Sequence, residues 1–280
     1  MNYARCRELS RRTFGALTLG VGLSTLLPDF ASAAEVTGRP VDIRTRDGSC
    51  DAYFTHPAKG THPGVLMWPD IFGLRPTFRQ MADRLALSGY AVLVVNPFYR
   101  IKRAPTSTHP DFNDPATRTQ LFGLMAPLTP EAAVTDARAL VPWLDSQPAV
   151  NKTRKMASTG YCLGGPFTLR TAAAFPDRIG AGATFHSAAL VTDGPDSPHL
   201  LIRRIKPPYL MAITESDDEK HPDAKTILRR EFAKAHLHAE IEVQAGTRHG
   251  SCVPDSPGYN HDLAERAWAR QLGLLGRALV

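Results

Sequence analysis

The residues best suited to covalent chemistry lie in one short turn near the middle of the chain. Gly160-Tyr161-Cys162-Leu163-Gly164-Gly165 follows an apolar run and precedes a helix-like stretch. A nucleophile flanked two residues away on each side by glycine, between a strand and a helix, is the pattern that exposes a reactive side chain at the tip of a turn. Cysteine stands here where serine is more usual. We therefore predict that Cys162 is the nucleophile of an acyl-transfer site.

Elementary sterics explain this pattern. Side chains at Gly160 and Gly164 would clash in so sharp a reversal, and glycine avoids the clash. The backbone N–H of Leu163 would then point to where an oxyanion develops, and the start of the helix would favour a thiolate at Cys162. The alternative interpretation is a buried structural cysteine beside a glycine-rich turn.

A hydrolytic site of this kind also needs an acid and a histidine after later strands, in the order nucleophile, acid, base. A strand-like run precedes Asp217 and Asp218, and the next strand-like run precedes His249. We predict that His249 is the base and that one of the two carboxylates orients it. The residue types alone do not decide between Asp217 and Asp218. His186 ends another strand-like run and is expected close to the site.

The segments that must position these residues alternate regularly along the chain. Strand-like runs are Val41–Arg44, Asp51–Phe54, Gly64–Trp68, Ala91–Val95, Lys155–Thr159, Ala181–Phe185, Pro208–Ile213 and Ala239–Val243. Helix-like stretches are Pro76–Ser88, Glu131–Asp145, Gly164–Phe175, Asp223–His238 and Pro257–Leu275. The alternation predicts an α/β fold with a mostly parallel sheet of about eight strands and helices on both faces. The first two runs lack an intervening helix and are expected to form an antiparallel hairpin at one edge.

Residues 1–33 have the composition of a targeting segment. Four arginines precede the uncharged run Phe14–Leu27, whose 14 residues are fewer than the about 20 that a membrane-spanning helix needs. Ala31-Ser32-Ala33 supplies small residues for cleavage, and Arg11-Arg12 with an aromatic residue shortly after resembles a twin-arginine export signal. We predict export by the twin-arginine machinery, removal of the segment, and a periplasmic or secreted single domain of residues 34–280. The alternative is an N-terminal membrane anchor, which the short run disfavours.

The overall composition excludes several classes of protein. Hydrophobic residues make up 43% and charged residues 21%, so wholesale disorder and fibrous repeats are excluded. The formal net charge is +6, but no basic run interleaved with aromatic residues follows the targeting segment, and we expect no nucleic-acid partner. No pair of histidines or cysteines has the spacing of metal ligands, so we expect neither a bound metal nor another cofactor.

Further short motifs are spread over nearly all of residues 34–280. They are Asp70-Ile71-Phe72-Gly73 after a strand, Gly89-Tyr90 ahead of Asn96-Pro97-Phe98-Tyr99-Arg100, the turn at Gly160–Gly165, the acidic turn Thr214–Asp218, and His249-Gly250. Together they resemble the dienelactone hydrolases (carboxymethylenebutenolidases), a family of the α/β-hydrolase fold. The resemblance implies hydrolysis of an ester or a lactone.

The same resemblance implies a role for each matching residue. Cys162 looks like the nucleophile, His249 like the base and Asp217 like the acid. The backbone N–H groups of Leu163 and Ile71 would form the oxyanion hole.

Two further positions match residues that act on the thiol or the substrate in that family. Asp70 stands where the family typically has a glutamate that holds and activates the thiol, and it is one methylene shorter. Arg100 matches an arginine that binds a substrate carboxylate. The second carboxylate-binding arginine of the family is replaced here by Val253, so the carboxylate clamp is incomplete.

Two rival functions remain. One keeps the fold and takes simple small carboxylic esters as substrates, and the other is a non-catalytic ligand-binding protein on the same fold. The other cysteines of the exported chain, Cys50 and Cys252, are expected near opposite ends of the sheet, so we predict no bridge between them. Cys252 is expected at the mouth of the site.

Overall fold

The computed structural model describes residues 35–107, 111–187 and 189–279, which belong to one folding unit. The predicted export signal, its cleavage site and the first residue of the predicted domain lie outside the described residues. In the described part, no helix is long and apolar enough to cross a membrane.

The described part of the chain forms a sheet of eight strands, as the alternation predicts. They are β1 (Val36–Thr45), β2 (Gly48–Pro57), β3 (Gly64–Trp68), β4 (Ala91–Val95), β5 (Met156–Tyr161), β6 (Ile179–Phe185), β7 (Tyr209–Thr214) and β8 (Ala239–Gln244). Their order in the sheet is β1-β2-β4-β3-β5-β6-β7-β8. The hairpin β1–β2 is antiparallel and occupies one edge, and β2 also pairs antiparallel with β4, whereas β3 to β8 run parallel. The predicted fold class and the predicted edge hairpin are therefore confirmed.

The central strands are apolar on both faces because helices cover both. Successive side chains of a strand point to opposite faces of the sheet, and the side chains of β3 and β4 divide accordingly between two apolar clusters. One cluster contains Leu66, Trp68, Leu93 and Val95, and the other contains Val65, Met67, Val92 and Val94. A strand buried on both sides reads as a continuous apolar run, which is why these two were predictable with their correct ends.

Within residues 35–279, as far as the structure describes them, seven α-helices connect or follow the strands. They are α1 (Pro76–Leu87), α2 (Pro115–Met125), α3 (Pro130–Ser146), α4 (Gly164–Ala174), α5 (Glu215–Lys220), α6 (Ala224–Lys234) and α7 (His261–Ala278), with a 3₁₀ helix at Pro198–Arg204. Apolar side chains of α3, α4 and α6 join the first cluster, whereas those of α1 and α7 join the second. Helices therefore lie on both faces, as predicted.

Two predicted helix ends are wrong by four residues each, for local reasons. The helix predicted to reach His238 ends at Lys234, because the chain turns into the left-handed region at His236, where φ is +55°. The helix predicted to start at Pro257 begins at His261, where the side chain of Asn260 accepts the N–H of Leu263. A cap of this kind fixes the first turn of a helix.

Candidate active site

The turn after β5 is as sharp as the glycine pattern requires. Cys162 adopts φ +49°, a conformation that side-chain-bearing residues rarely take, between the end of β5 and the start of α4. A Cβ atom added to Gly160 would lie 2.3 Å from the carbonyl oxygen of Gly164, and one added to Gly164 would lie 2.3 Å from that of Trp68. Both glycines are therefore required by close approach of the backbone.

We expect Gly160→Ala to destabilise the protein by about 1–3 kcal/mol or more, because the clash is with backbone that cannot move aside. Gly276→Ala is the matched control, since nothing lies within 4 Å of its added Cβ. In α7 this control should stabilise the helix by about 0.5–1 kcal/mol. Chemical denaturation of both variants measures the two effects, and equal stability of the two would contradict the close approach at the turn.

Three predicted side chains meet at this turn. The Nε2 atom of His249 lies 3.0 Å from the Sγ atom of Cys162. On the other side of the ring, Nδ1 lies 2.8 Å and 3.0 Å from the two carboxylate oxygens of Asp217. Cys162, His249 and Asp217, the predicted nucleophile, base and acid, thus form one continuous chain of hydrogen-bonding contacts. Covalent catalysis by a weak nucleophile requires this arrangement.

The structure distinguishes the two adjacent carboxylates that the residue types left open. Asp217 is buried on α5, where its Oδ2 also accepts a 2.6 Å hydrogen bond from the hydroxyl of Thr214. Asp218 turns away and pairs with the ammonium group of Lys225 at 2.7 and 2.8 Å. Asp217 is therefore the carboxylate that contacts His249.

The polar contacts also set the charge of the histidine. Burial of His249 opposes its protonation, but the hydrogen bonds and charges of Asp217 and Cys162 outweigh burial and raise the pKa of His249 to about 10. Burial likewise opposes the charge of Asp217, yet the hydrogen bond and the charge of His249 lower its pKa below the usual range. The arrangement favours an imidazolium at His249 beside the carboxylate of Asp217 at neutral pH.

This charge state predicts a pH dependence of stability. The pKa of His249 rises from 6.5 to about 10 on folding, so its stabilising contribution is complete below pH 6.5 and is lost as the pH rises towards 10. We expect the difference in unfolding free energy between the wild type and His249→Asn to shrink steadily over that interval. Denaturant titrations at several pH values measure it, and a difference that stays constant or grows with pH would contradict the assignment.

Two backbone N–H groups are available beside the sulfur. Leu163 directly follows Cys162 and precedes the first turn of α4, and Ile71 lines the same cavity as Cys162. Within the described residues, neither N–H donates to a protein acceptor. Both groups therefore keep a donor for an oxygen that develops negative charge, as an oxyanion hole requires.

The resemblance implied that Asp70 would hold the thiol of Cys162, but its carboxylate bonds to other groups. Its carboxylate accepts two hydrogen bonds from the guanidinium of Arg75, at 2.7 and 2.9 Å, and a third from the N–H of Phe72. Arg75 is 3% exposed and also donates to both carboxylate oxygens of Asp255. Asp70 therefore anchors the loop that carries Ile71. The aspartate side chain, one methylene shorter than that of glutamate, reaches these donors, which lie two and five residues further along the chain.

We expect Arg75→Met to lower the free energy of unfolding by about 3–5 kcal/mol, because the buried carboxylate of Asp70 would lose its partner. Arg84→Met is the control, since Arg84 pairs with Glu265 in a comparable two-bond contact at an exposed position. The control should cost about 1 kcal/mol or less. Denaturant titration of both variants measures the difference. Similar losses would show that the buried ion pair contributes no more to the free energy of unfolding than the exposed one does.

Arg100 lies outside the cavity, contrary to the role that the resemblance implied. Its guanidinium donates to Asp136 at 2.7 and 2.9 Å and to Asp47 at 2.7 and 3.2 Å. These contacts tie the loop after β4 to α3 and to the turn between β1 and β2. Both acidic partners engage the guanidinium of Arg100, which therefore links these three parts of the fold. Val253, at the position of the other family arginine, is fully buried.

The cavity over Cys162 has a volume of 320 Å³. Ile71, Phe72, Phe112 and Pro257 give it largely apolar walls, and among the described residues that line it none is lysine or arginine. Sequence reasoning missed the contribution of Phe112, because the Pro-rich loop before α2 carries no periodic pattern that would place it.

His186 lies behind the base, as expected from its position at the end of β6. Its ring packs edge-on against the ring of His249, with centroids 5.3 Å apart, and it is 1% exposed. Burial lowers the pKa of His186 to about 3, so the ring is neutral at pH 7. A neutral ring there limits the rotation of His249 without competing for the carboxylate of Asp217.

The two other cysteines of the described part lie away from the site. Cys50 and Cys252 are both buried and both free, and each belongs to a different apolar cluster. The expectation that no bridge joins them holds in this structure. Cys252 does not line the cavity, so the prediction that it lies at the mouth of the site is wrong. The chain after His249 turns Val253 and Cys252 into the core instead.

Known proteins resemble this chain over most of its length. The model of the dienelactone hydrolase family matches residues 50–279. The chain belongs to the dienelactone hydrolase family. A carboxymethylenebutenolidase of Cupriavidus pinatubonensis is 25% identical over 236 residues, which cover 84% of this chain and 95% of that protein. A second carboxymethylenebutenolidase, from Pseudomonas sp. strain P51, is 26% identical over 230 residues, covering 82% of this chain and 91% of that protein.

Solved structures show the same fold. A crystal structure from Klebsiella pneumoniae, described as a dienelactone hydrolase, superposes with a TM-score of 0.75 at 21% identity. The match covers 86% of this chain and 99% of that one. At this identity the likeness supports the α/β-hydrolase fold and carries no residue roles. The family resemblance read from the short motifs is therefore confirmed, together with the fold.

Proposed function

We propose that this dienelactone hydrolase family member hydrolyses carboxylic esters or lactones through a thioester on Cys162. The single observation that carries the proposal is the aligned contact chain from Sγ of Cys162 through His249 to Asp217 at the cavity. The sulfur attacks the carbonyl carbon, and the N–H groups of Leu163 and Ile71 bind the oxygen as it becomes negative. His249 gives its proton to the leaving oxygen, and the C–O bond breaks.

In the second half of the reaction, the same histidine accepts a proton instead of donating one. Formation of the thioester removes the contact between the Cys162 sulfur and His249, which is one of the causes of the raised pKa of His249. His249, having given up its proton, is then neutral and can take a proton from water. The hydroxide that results attacks the thioester carbonyl, the C–S bond breaks, and the carboxylic acid leaves while the sulfur regains its charge. Asp217 keeps the ring oriented throughout.

The cavity favours a neutral substrate over one with a free carboxylate. The described lining residues include no lysine or arginine, Asp70 adds a carboxylate that is paired with Arg75, and Arg100 is engaged elsewhere. A substrate carboxylate would therefore meet apolar walls without a cation to pair with, which is unfavourable. A small uncharged ester or lactone would fit the 320 Å³ volume better.

A substrate panel on the purified protein tests this proposal. It compares cis- and trans-dienelactone, which carry a carboxylate, with p-nitrophenyl acetate and butyrate and with an uncharged five-membered lactone. We expect the uncharged substrates to have the higher kcat/KM. A marked preference for the dienelactones would contradict the neutral-substrate proposal, and saturable binding without turnover of any compound would favour the non-catalytic alternative.

A further inference from the structure

A second and larger groove lies away from Cys162. It has a volume of 730 Å³ and is formed by α3, α4, α6 and the 3₁₀ helix. None of its lining residues lines the cavity over the sulfur. The proposed hydrolysis makes no use of this groove, so any ligand there would serve a separate role.

One wall of this groove contains a buried guanidinium that pairs with no carboxylate among the described residues. Arg170 on α4 is 9% exposed, and its Nη2 atom donates to the backbone carbonyl of Asp196 at 2.8 Å. In the part of the chain that the structure describes, no carboxylate forms a salt bridge with it, although Asp196 and Glu131 are near enough to favour its charge. Burial lowers the pKa of Arg170. Buried charges in proteins are normally paired, because an unpaired one is strongly penalised.

The surroundings of Arg170 add further positive charge. Arg138, Arg203 and Arg204 also line the groove, and no ion pair engages them within the described residues. Of the three carboxylates that line it, that of Glu231 is already bound by Arg230 and Lys234. The groove is therefore electropositive, and an anion that enters would find donors that are not committed elsewhere.

Part of the remaining wall is apolar. Val134 on α3 and Leu200 and Leu201 of the 3₁₀ helix line the groove, and Leu200 is 41% exposed. A large exposed leucine beside several arginines fits a ligand that has a hydrophobic body and an anionic end. The planar fork of a guanidinium matches the two oxygens of a carboxylate.

We propose that this groove binds a small organic carboxylate, whose anionic end pairs with Arg170 and whose apolar body lies against Leu200 and Val134. Arg138 adds a second, exposed cation to the same site. The proposal is independent of the reaction at Cys162, because the two sites share no lining residue.

Calorimetric titration of the folded protein tests the proposal, with Cys162 blocked by iodoacetamide to close the first site to reactive ligands. The probes are 4-phenylbutyrate, its uncharged amide, and inorganic phosphate. We expect saturable binding of one equivalent of 4-phenylbutyrate and at least about tenfold weaker binding of the amide, since a charge-assisted hydrogen bond is lost. No saturable binding, equal binding of the amide, or binding of phosphate alone would each overturn the proposal.

Variants locate the site. Arg170→Gln should weaken binding of 4-phenylbutyrate at least about tenfold, and Arg138→Gln, at an exposed position that leaves folding intact, should weaken it about threefold. Arg118→Gln, on α2 away from the groove, is the control and should bind as the wild type does. Unchanged affinity in both groove variants would overturn the assignment. A dimer that dissociates in Arg170→Gln would also overturn it, since a second copy would then fill the groove.

Discussion

Cys162→Ala is expected to reduce kcat/KM for p-nitrophenyl acetate by about 10⁴-fold or more. Removing the nucleophile of an acyl-transfer site leaves only binding and oxyanion stabilisation, which account for a small part of such rate enhancements. The alanine side chain is smaller and fits the same left-handed turn, so folding should be little affected. Initial rates with wild-type and variant protein at pH 7 measure the effect.

The matched control for this variant is Cys252→Ala. Cys252 is a buried free thiol outside the cavity, so its loss removes a cysteine without touching the site. We expect activity within about twofold of the wild type, with a modest loss of stability from the small cavity that is left. Wild-type turnover by Cys162→Ala, or an equal loss of activity in both variants, would contradict a nucleophilic role for Cys162.

Asp217→Asn should lower kcat by about 10²- to 10⁴-fold, because the amide no longer favours the charged ring and can hold it in the wrong tautomer. The neighbouring Asp218→Asn is the control, since Asp218 contacts Lys225 and not His249. It should change kcat by no more than about threefold, because only a partly exposed ion pair is lost. Steady-state kinetics of the two variants under the same conditions provide the comparison.

The two substitutions also show whether Asp217 acts by orienting the ring of His249 or only by its charge. If Asp217 acts by holding the Nδ1–H of His249, KM should change much less than kcat in Asp217→Asn. Equal kinetic effects of the two substitutions would mean that either carboxylate serves the histidine. A larger effect at Asp218 would contradict the geometry, in which only Asp217 reaches the ring.

The fold was predictable because its signals are local and repeated. The fully buried strands β3 and β4 read as unbroken apolar runs, and their ends agree with the prediction. The helix α2 was missed because only Leu121 and Leu124 are buried in it, so it lacks a periodic apolar face. Its cap at Asp114 followed by proline was the one available signal.

The site was predictable only in part, for a different reason. The turn at Cys162 and the order of acid and base are local patterns, whereas the contact of Arg75 with Asp255 joins residues 180 positions apart. No sequence spacing indicates such a contact. The contacts of Arg100 could not be predicted for another reason. A guanidinium binds a substrate carboxylate and the carboxylates of Asp47 and Asp136 equally well. Only the folded chain decides which anions are within reach.

The central claim is that the acyl group passes through the sulfur of Cys162, and trapping that intermediate tests it most directly. Wild-type protein is mixed with p-nitrophenyl acetate, quenched with acid within the first turnovers, digested and analysed by mass spectrometry. The account predicts one acetyl group on the peptide that contains Cys162, and none on the corresponding peptide of Cys162→Ala. Acetylation of another residue at the rate of turnover, with Cys162 unmodified, would contradict it.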